Sequence, residues 1–219
     1  MAQSDAPGFY HSALQKYNAG DYVNALMDLD RSLEKKNDFD SALCLRGTIK
    51  TRNGDLRNGL KDLDKVIKLN PKYADAYYVR GIARGQAEDY PGAIKDLDKN
   101  IELHPDYEKS YYNRALAKAH LGDYEAAIAD LDKAISLNPK YTQAWYSRAF
   151  WKDQSGDYDG AVNDYLKTIE LDPGYIEAYT SLAIMKYQKG DKNGACETLK
   201  PAIDRGSYMA EELSDRFCK

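Results

Sequence analysis

Cysteine is scarce in this chain of 219 residues, with Cys44, Cys196 and Cys218 alone, and histidine is equally scarce, with His11, His104 and His120. The cysteines fit neither a zinc spacing nor a disulfide-dense scaffold. Cys44 reads as a small packed hydrophobe. Cys196 and Cys218, 22 residues apart on segments that can pack together, would close a disulfide in an oxidising compartment and remain packed thiols in a reducing one. The histidines are dispersed and none stands in a metal-binding helical spacing; no glycine-rich phosphate loop or nucleophile motif occurs either. The sequence therefore predicts no catalytic residues, no metal, no cofactor and no enzyme, although a site assembled across distant segments would leave no local motif.

Long apolar runs are missing as well. Nothing approaches the roughly 20 residues a membrane span needs, and the opening MAQSDAPGFY lacks the apolar core of a signal peptide, so a soluble chain without membrane insertion is expected. Trimming of a leader would leave both cytoplasm and periplasm open. Charge of one sign does not dominate: the formal net charge is −4, which gives no general attraction to nucleic acid. Protein partners are the expectation.

Tyrosine, with 19 residues, and repetition are what the chain has in quantity. Asp21, Asp55, Asp89, Asp123, Asp157 and Asp191 are spaced by 34 residues, each preceded by glycine except where Glu88 stands. Counting places from Ala6 divides the chain into six units, 6–39, 40–73, 74–107, 108–141, 142–175 and 176–209, which tile one repeat domain, 6–209, without linkers. Each unit reads as two helices. The first carries a large residue at place 4 (Phe9, Leu43, Tyr77, Tyr111, Trp145, Tyr179) and a small one at place 8 (Ala13, Gly47, Gly81, Ala115, Ala149, Ala183), where helices can approach closely. Glycine then ends that helix in the left-handed conformation, and the following aspartate caps the second, at about 1 kcal/mol per cap. The second helix has a small residue at place 20 and an apolar stripe exemplified by Ile128, Leu131 and Ile135; Pro71, Pro105, Pro139 and Pro173 at place 32 stop it.

This punctuated 34-residue helix pair resembles the tetratricopeptide repeat family, with agreement over almost the whole chain. The resemblance implies an all-α, right-handed superhelical solenoid whose first helices line a concave groove. The acidic net charge, short length and complete tiling resemble those of small bacterial multi-repeat proteins. The last unit departs from the pattern, with Lys192, Thr198 and Pro201, the last predicting a bend in its second helix. A capping helix is predicted over 207–219, started by Ser207 and covering the last unit with Met209, Leu213 and Phe217.

In the stretch GDYEAAIADLDKAISLNP, Asp130 and Asp132 raise a question, because an amphipathic helix should not spend two carboxylates beside its buried stripe. Asp30, Asp64, Asp98 and Asp132 occupy place 25, and the next unit in each case has an arginine at place 7: Arg46, Arg80, Arg114 and Arg148. Where the acid becomes Leu166 the arginine becomes Leu182. This matched gap predicts a ladder of inter-unit ion pairs, Asp30–Arg46, Asp64–Arg80, Asp98–Arg114 and Asp132–Arg148, with each guanidinium forking onto a carboxylate. The basic residues at place 11, Lys16 to Lys186, would pair with the acids at place 23, Asp28 to Asp164. An alternative, that the basic rows bind an anionic partner, is weaker because neutralising acids recur at the same period.

By the resemblance, places 5 and 9 of the first helices face the groove, and they hold Tyr10, Leu14, Tyr78, Ile82, Tyr112, Leu116, Tyr146 and Phe150, with Lys109, Asn113 and Gln143 among the polar points. An aromatic lane with few charges suits an extended or helical peptide. Only Lys109 and Asn113 match the family's carboxylate-clamp positions, and both fall in one unit, so no such clamp is expected. The predicted function is a non-enzymatic adaptor or scaffold that binds a protein segment in the groove; the alternative is a self-associating assembly protein using its ends or convex face.

Overall fold

The computed structural model describes residues 5–219, and among the described residues every regular element is an α-helix. In chain order these are α1 (Ala6–Asn18), α2 (Tyr22–Lys35), α3 (Asp40–Arg52), α4 (Leu56–Leu69), α5 (Ala74–Gln86), α6 (Tyr90–Leu103), α7 (Glu108–His120), α8 (Tyr124–Leu137), α9 (Thr142–Gln154), α10 (Tyr158–Leu171), α11 (Ile176–Gln188), α12 (Lys192–Ile203) and α13 (Tyr208–Phe217). Every odd-numbered helix from α1 to α11 begins at the first place of its repeat. The fold is an all-α helical repeat solenoid.

Local chemistry sets the boundaries. Asp21, Asp55, Asp89, Asp123, Asp157 and Asp191 each accept a backbone N–H three residues on, so one orphan donor of every second helix is satisfied by its own cap. The preceding residue lies at positive φ, including Glu88 at 61°, the one non-glycine in that conformation among the described residues. A side chain there crowds the following carbonyl, at a cost of about 1–2 kcal/mol. Glu88→Gly is accordingly expected to raise stability by about 1 kcal/mol in denaturant unfolding. An unchanged or lower midpoint would show that the Glu88 side chain contributes something the turn geometry does not account for.

In the last four repeats the residue at place 4 fastens the first helix to the turn before it. Tyr77, Tyr111 and Tyr179 donate their hydroxyls to the carbonyls of Pro71, Pro105 and Pro173 at 3.2, 2.9 and 3.2 Å, and Trp145 Nε1 donates to Pro139 at 3.0 Å. One aromatic thus fills the core with its ring and satisfies a turn carbonyl with its polar atom.

The chain divides within α7 into two compact units, one ending at Ala117 and one beginning at Lys118. In the first, consecutive helices pack together and first helices also touch the next first helix, α1 with α3 and α3 with α5. Its core runs through Ala13, Ala25, Leu29, Leu43, Ile49, Leu63 and Val66. The helices approach closely here: a Cβ on Gly59 would lie 2.6 Å from Thr51 Oγ1 and 3.1 Å from the Gly47 carbonyl oxygen, so a side chain at 59 would push α3 and α4 apart or displace Thr51. In the second unit, Ala149, Ala161, Tyr165, Ala178, Leu182 and Met185 form one buried cluster. Tyr179, Ala183, Ala195, Leu199, Ala202, Ala210 and Phe217 form another.

At the C-terminus α12 continues through Pro201 and ends at Ile203. Ser207 caps α13 by accepting the Ala210 N–H at 3.3 Å. The covering face differs from the predicted one: Ala210 is fully buried and Phe217 7% exposed, whereas Met209 is 60% exposed. Helix α13 is turned so that residues 210, 213 and 217, rather than 209, meet α11 and α12, because the flat stack of Phe217 on Tyr187, with centroids 3.9 Å apart, fixes its rotation. Cys196 and Cys218 are joined in a disulfide that ties this helix to α12.

Candidate peptide-binding site

The acidic pairs of the second helices are divided between two tasks. Place 23 points inward: Asp28, Asp62, Asp96, Asp130 and Asp164 are all buried, 3–6% exposed. Arg46 donates from Nε and Nη2 to the two oxygens of Asp62, at 2.8 and 2.7 Å, and from Nη1 to Asp30 at 2.7 Å. Lys50 adds a third cationic contact to Asp62 at 2.8 Å. The same arrangement recurs around Arg80, with Asp96 at 2.8 and 2.6 Å and Asp64 at 2.7 Å. It recurs again around Arg148, with Asp164 at 2.7 and 2.6 Å and Asp132 at 2.7 Å. Arg114 meets Asp98 at 2.6 Å, and Lys118 meets Asp130 at 2.8 Å.

The fork of the guanidinium therefore engages the buried acid of its own repeat, and the place 25 acid of the preceding repeat receives the remaining nitrogen. This differs from the predicted fork onto place 25, and the reason is direction: within a helix pair, place 7 and place 23 face each other across the interface, whereas place 25 reaches in from the solvent edge. Burial alone would raise the carboxyl pKa of Asp62, but hydrogen bonds from Arg46 and Lys50 outweigh it and leave the pKa lowered. Burial likewise works against the Arg46 charge, and the bonds to Asp62 and Asp30 outweigh it and raise its pKa. Place 4 rings complete the enclosure, with the Arg80, Arg114 and Arg148 guanidinium carbons 5.7, 5.5 and 4.6 Å from the centroids of Tyr77, Tyr111 and Trp145. These cations are structural, already neutralised, and poorly placed to recruit an anionic partner.

The other candidate surface is that of places 5 and 9. Tyr10, Leu14, Tyr78, Ile82, Tyr112, Asn113 and Leu116 are half-buried and Lys109 is exposed in the first unit; in the second, Tyr146 is half-buried while Gln143 and Phe150 are exposed. Three of the place 5 rings, Tyr10, Tyr78 and Tyr146, lean on a second aromatic row that also recurs every 34 residues, Phe39, Tyr73, Tyr107, Tyr141 and Tyr175 at place 34. Tyr10 lies 5.2 Å from Phe39, Tyr78 5.0 Å from Tyr107 and Tyr146 4.9 Å from Tyr175, centroid to centroid. Tyr10, Tyr78 and Tyr146 are thus packed against a second ring while remaining half-buried. Asn113 donates from Nδ2 to the Tyr78 hydroxyl at 3.3 Å and to the Lys109 carbonyl at 2.7 Å, which orients the tyrosine and occupies the amide's donors.

In the first unit an open cleft of about 320 Å³ is lined by Tyr10, Tyr17, Tyr73, Tyr78 and Tyr107 together with Ser41, Cys44, Leu45, Thr48, Asp75 and Val79. Of the predicted groove residues, Tyr10 and Tyr78 line it. Burial pushes the Cys44 thiol up to about 12, and nearby Asp75 adds to the shift, so Cys44 is an un-ionised part of the floor and no nucleophile. No group of three or more potential metal ligands occurs among the described residues. Nor is any described helix long and apolar enough to cross a membrane.

Comparison with known proteins gives a consistent result. Tetratricopeptide repeat profiles match residues 44–108 and 108–141, and a TPR repeat profile matches 154–190, together more than half of the chain. Among curated proteins none matches the sequence. Many solved structures do: MamA is 29% identical with a TM-score of 0.69, over 78% of this chain and 97% of its own. YrrB, described as a TPR protein with an unusual peptide-binding site, is 21% identical with a TM-score of 0.70, over 86% of this chain and 97% of its own. A thermophilic TPR protein of Thermus thermophilus is 21% identical with a TM-score of 0.65, over 82% of this chain and 98% of its own.

Proposed function

The chain belongs to the tetratricopeptide repeat family, and from that premise we propose that it is a non-enzymatic adaptor that holds a peptide or protein segment against the inner faces of its first helices. The observation that carries this reading is the tyrosine-lined cleft of the first unit, about 320 Å³, the right scale for one or two side chains of an extended segment. Rings fixed by the place 34 row lose little rotamer entropy on binding, which is what makes tyrosine an effective contact residue. The peptide-binding site named for YrrB, a protein of the same fold, is consistent with this use of the scaffold. Leu14, Ile82, Tyr112 and Leu116 extend the contact surface in the first unit, and Tyr146 and Phe150 offer a second one in the other.

The test is site-specific photocrosslinking in lysate of the source organism, with a benzophenone amino acid placed at Ile82 or, as control, at the exposed Lys95 on the second helix α6. We expect a protein crosslinked from position 82 and not from 95, with yield falling at least about tenfold when Tyr78→Ala removes an anchor of the size that dominates interfaces. Identical crosslinks from both positions, or crosslinks only to the chain itself, would overturn the adaptor reading and favour self-assembly.

A further inference from the structure

We infer that the tyrosine cleft of the first unit accepts a cationic side chain, a lysine or arginine of the bound segment, through the faces of Tyr10, Tyr17, Tyr73, Tyr78 and Tyr107 and the carboxylate of Asp75. The inference rests on the adaptor reading and specifies the chemistry of its guest. The lining residues include an acid and no lysine or arginine. Asp75 itself makes no ion pair among the described residues, unlike the buried acids of the second helices. Asp75 lies close enough to the cleft floor to add to the effect of burial in making ionisation of Cys44 harder.

Ring faces are electron-rich, so a cleft lined by five tyrosines attracts a cation and gains nothing comparable from a neutral chain. An aliphatic guest would cover Asp75 without pairing it, which costs free energy, and an acidic guest would be repelled. The chain already uses this chemistry next door, where the Arg52 guanidinium lies 4.9 Å from the centroid of Tyr22, a ring 5.6 Å from Tyr17. Arg52 is spent on that ring and does not line the cleft.

The experiment titrates the full chain, with 13C-labelled tyrosine, against N-acetyl-lysine methylamide, N-acetyl-arginine methylamide and the uncharged N-acetyl-norleucine methylamide. Ring signals are assigned with Tyr10→Phe and Tyr78→Phe. Saturating shifts of the Tyr10 and Tyr78 rings by the two cations, with norleucine about tenfold weaker, are expected. Asp75→Asn, at an exposed position where folding is verified by thermal melting, should weaken the cations by about tenfold without weakening norleucine. Norleucine binding as tightly as lysine, no effect of Asp75→Asn, or no ring shift with any probe would each overturn the inference. Photocrosslinking from position 82 that persists alongside such a result would confine the failure to the charge of the guest; loss of both would remove the groove reading as well.

Discussion

Arg80→Leu is expected to lower the unfolding free energy by about 3 kcal/mol or more, because it leaves Asp96, 3% exposed, with Arg84 as its remaining charged partner. The penalty is that of an under-compensated buried carboxylate, not the worth of the three hydrogen bonds removed. The last repeat shows how the same position is built without charge: Leu182 is 1% exposed, Leu166 stands where the partner acid would be, and Thr198 replaces the inner aspartate, accepting from Lys186 at 2.8 Å and donating to the Gly194 carbonyl at 2.6 Å. Transplanting that solution as Arg80→Leu with Asp96→Thr and Asp64→Leu should recover most of the loss. Urea unfolding followed by circular dichroism measures both; a single variant within about 1 kcal/mol of the parent would show that the network contributes little.

The same network gives stability a direction with pH. The Asp62 carboxyl pKa is lowered in the folded chain, since burial, the largest single effect, is outweighed by the hydrogen bonds and charges of Arg46 and Lys50 together. A lowered folded value means stability that is complete above the ordinary carboxylate pKa of about 3.9 and is lost as pH falls through the folded value. Asp28, held by Lys16 and Ser12 against the opposing effect of burial, behaves in the same sense. Acid unfolding should therefore begin below about pH 4.

Loss of the disulfide is the second large effect expected. Cys196 and Cys218 are separated by 22 residues, and a cross-link over a loop of that size contributes about 3 kcal/mol by restricting the unfolded chain. What it holds in place is weak alone: α13 has 10 residues, too few for an independent helix in water. Its anchors are Ala210, Phe217 stacked on Tyr187, and half-buried Leu213. Cys218→Ser, or a reducing agent, should abolish the hydrogen-exchange protection of α13 and expose the Tyr179, Ala183 and Leu199 cluster, while α9 and α10 stay protected. Equal protection of α13 with and without reductant would mean that packing alone secures the cap.

Much of this molecule is legible in one sequence because repetition supplies internal comparison. The capping aspartates, the residues before them and the prolines after α4, α6, α8 and α10 act within about four residues, so sequence order determines the boundaries they set. The relation between Asp30 and Arg46 could be read at longer range only because Leu166 and Leu182 change together. The division of labour between the paired aspartates could not be read that way. Place 23 carries an acid whether or not the next repeat has an arginine, and only the facing of two helices across their interface shows that it takes the fork.

The groove follows the same division. Place 5 tyrosines were visible as a row, and so, by the same period, were Phe39, Tyr73, Tyr107, Tyr141 and Tyr175; their contact, ring against ring, depends on where the turn after one second helix meets the first helix of the pair before it. Met209 and Ala210 show how fine this dependence is, since one residue of helix rotation, about 100°, decides which of them is covered. Sequence alone determined the period, the helix pairs, their caps and the composition of each face, because these arise from local backbone chemistry repeated at fixed intervals. The tertiary structure decided which acid is buried, how Asn113 is engaged and that five tyrosines and Asp75 share one cleft, because those depend on side-chain directions across interfaces between segments far apart in the chain.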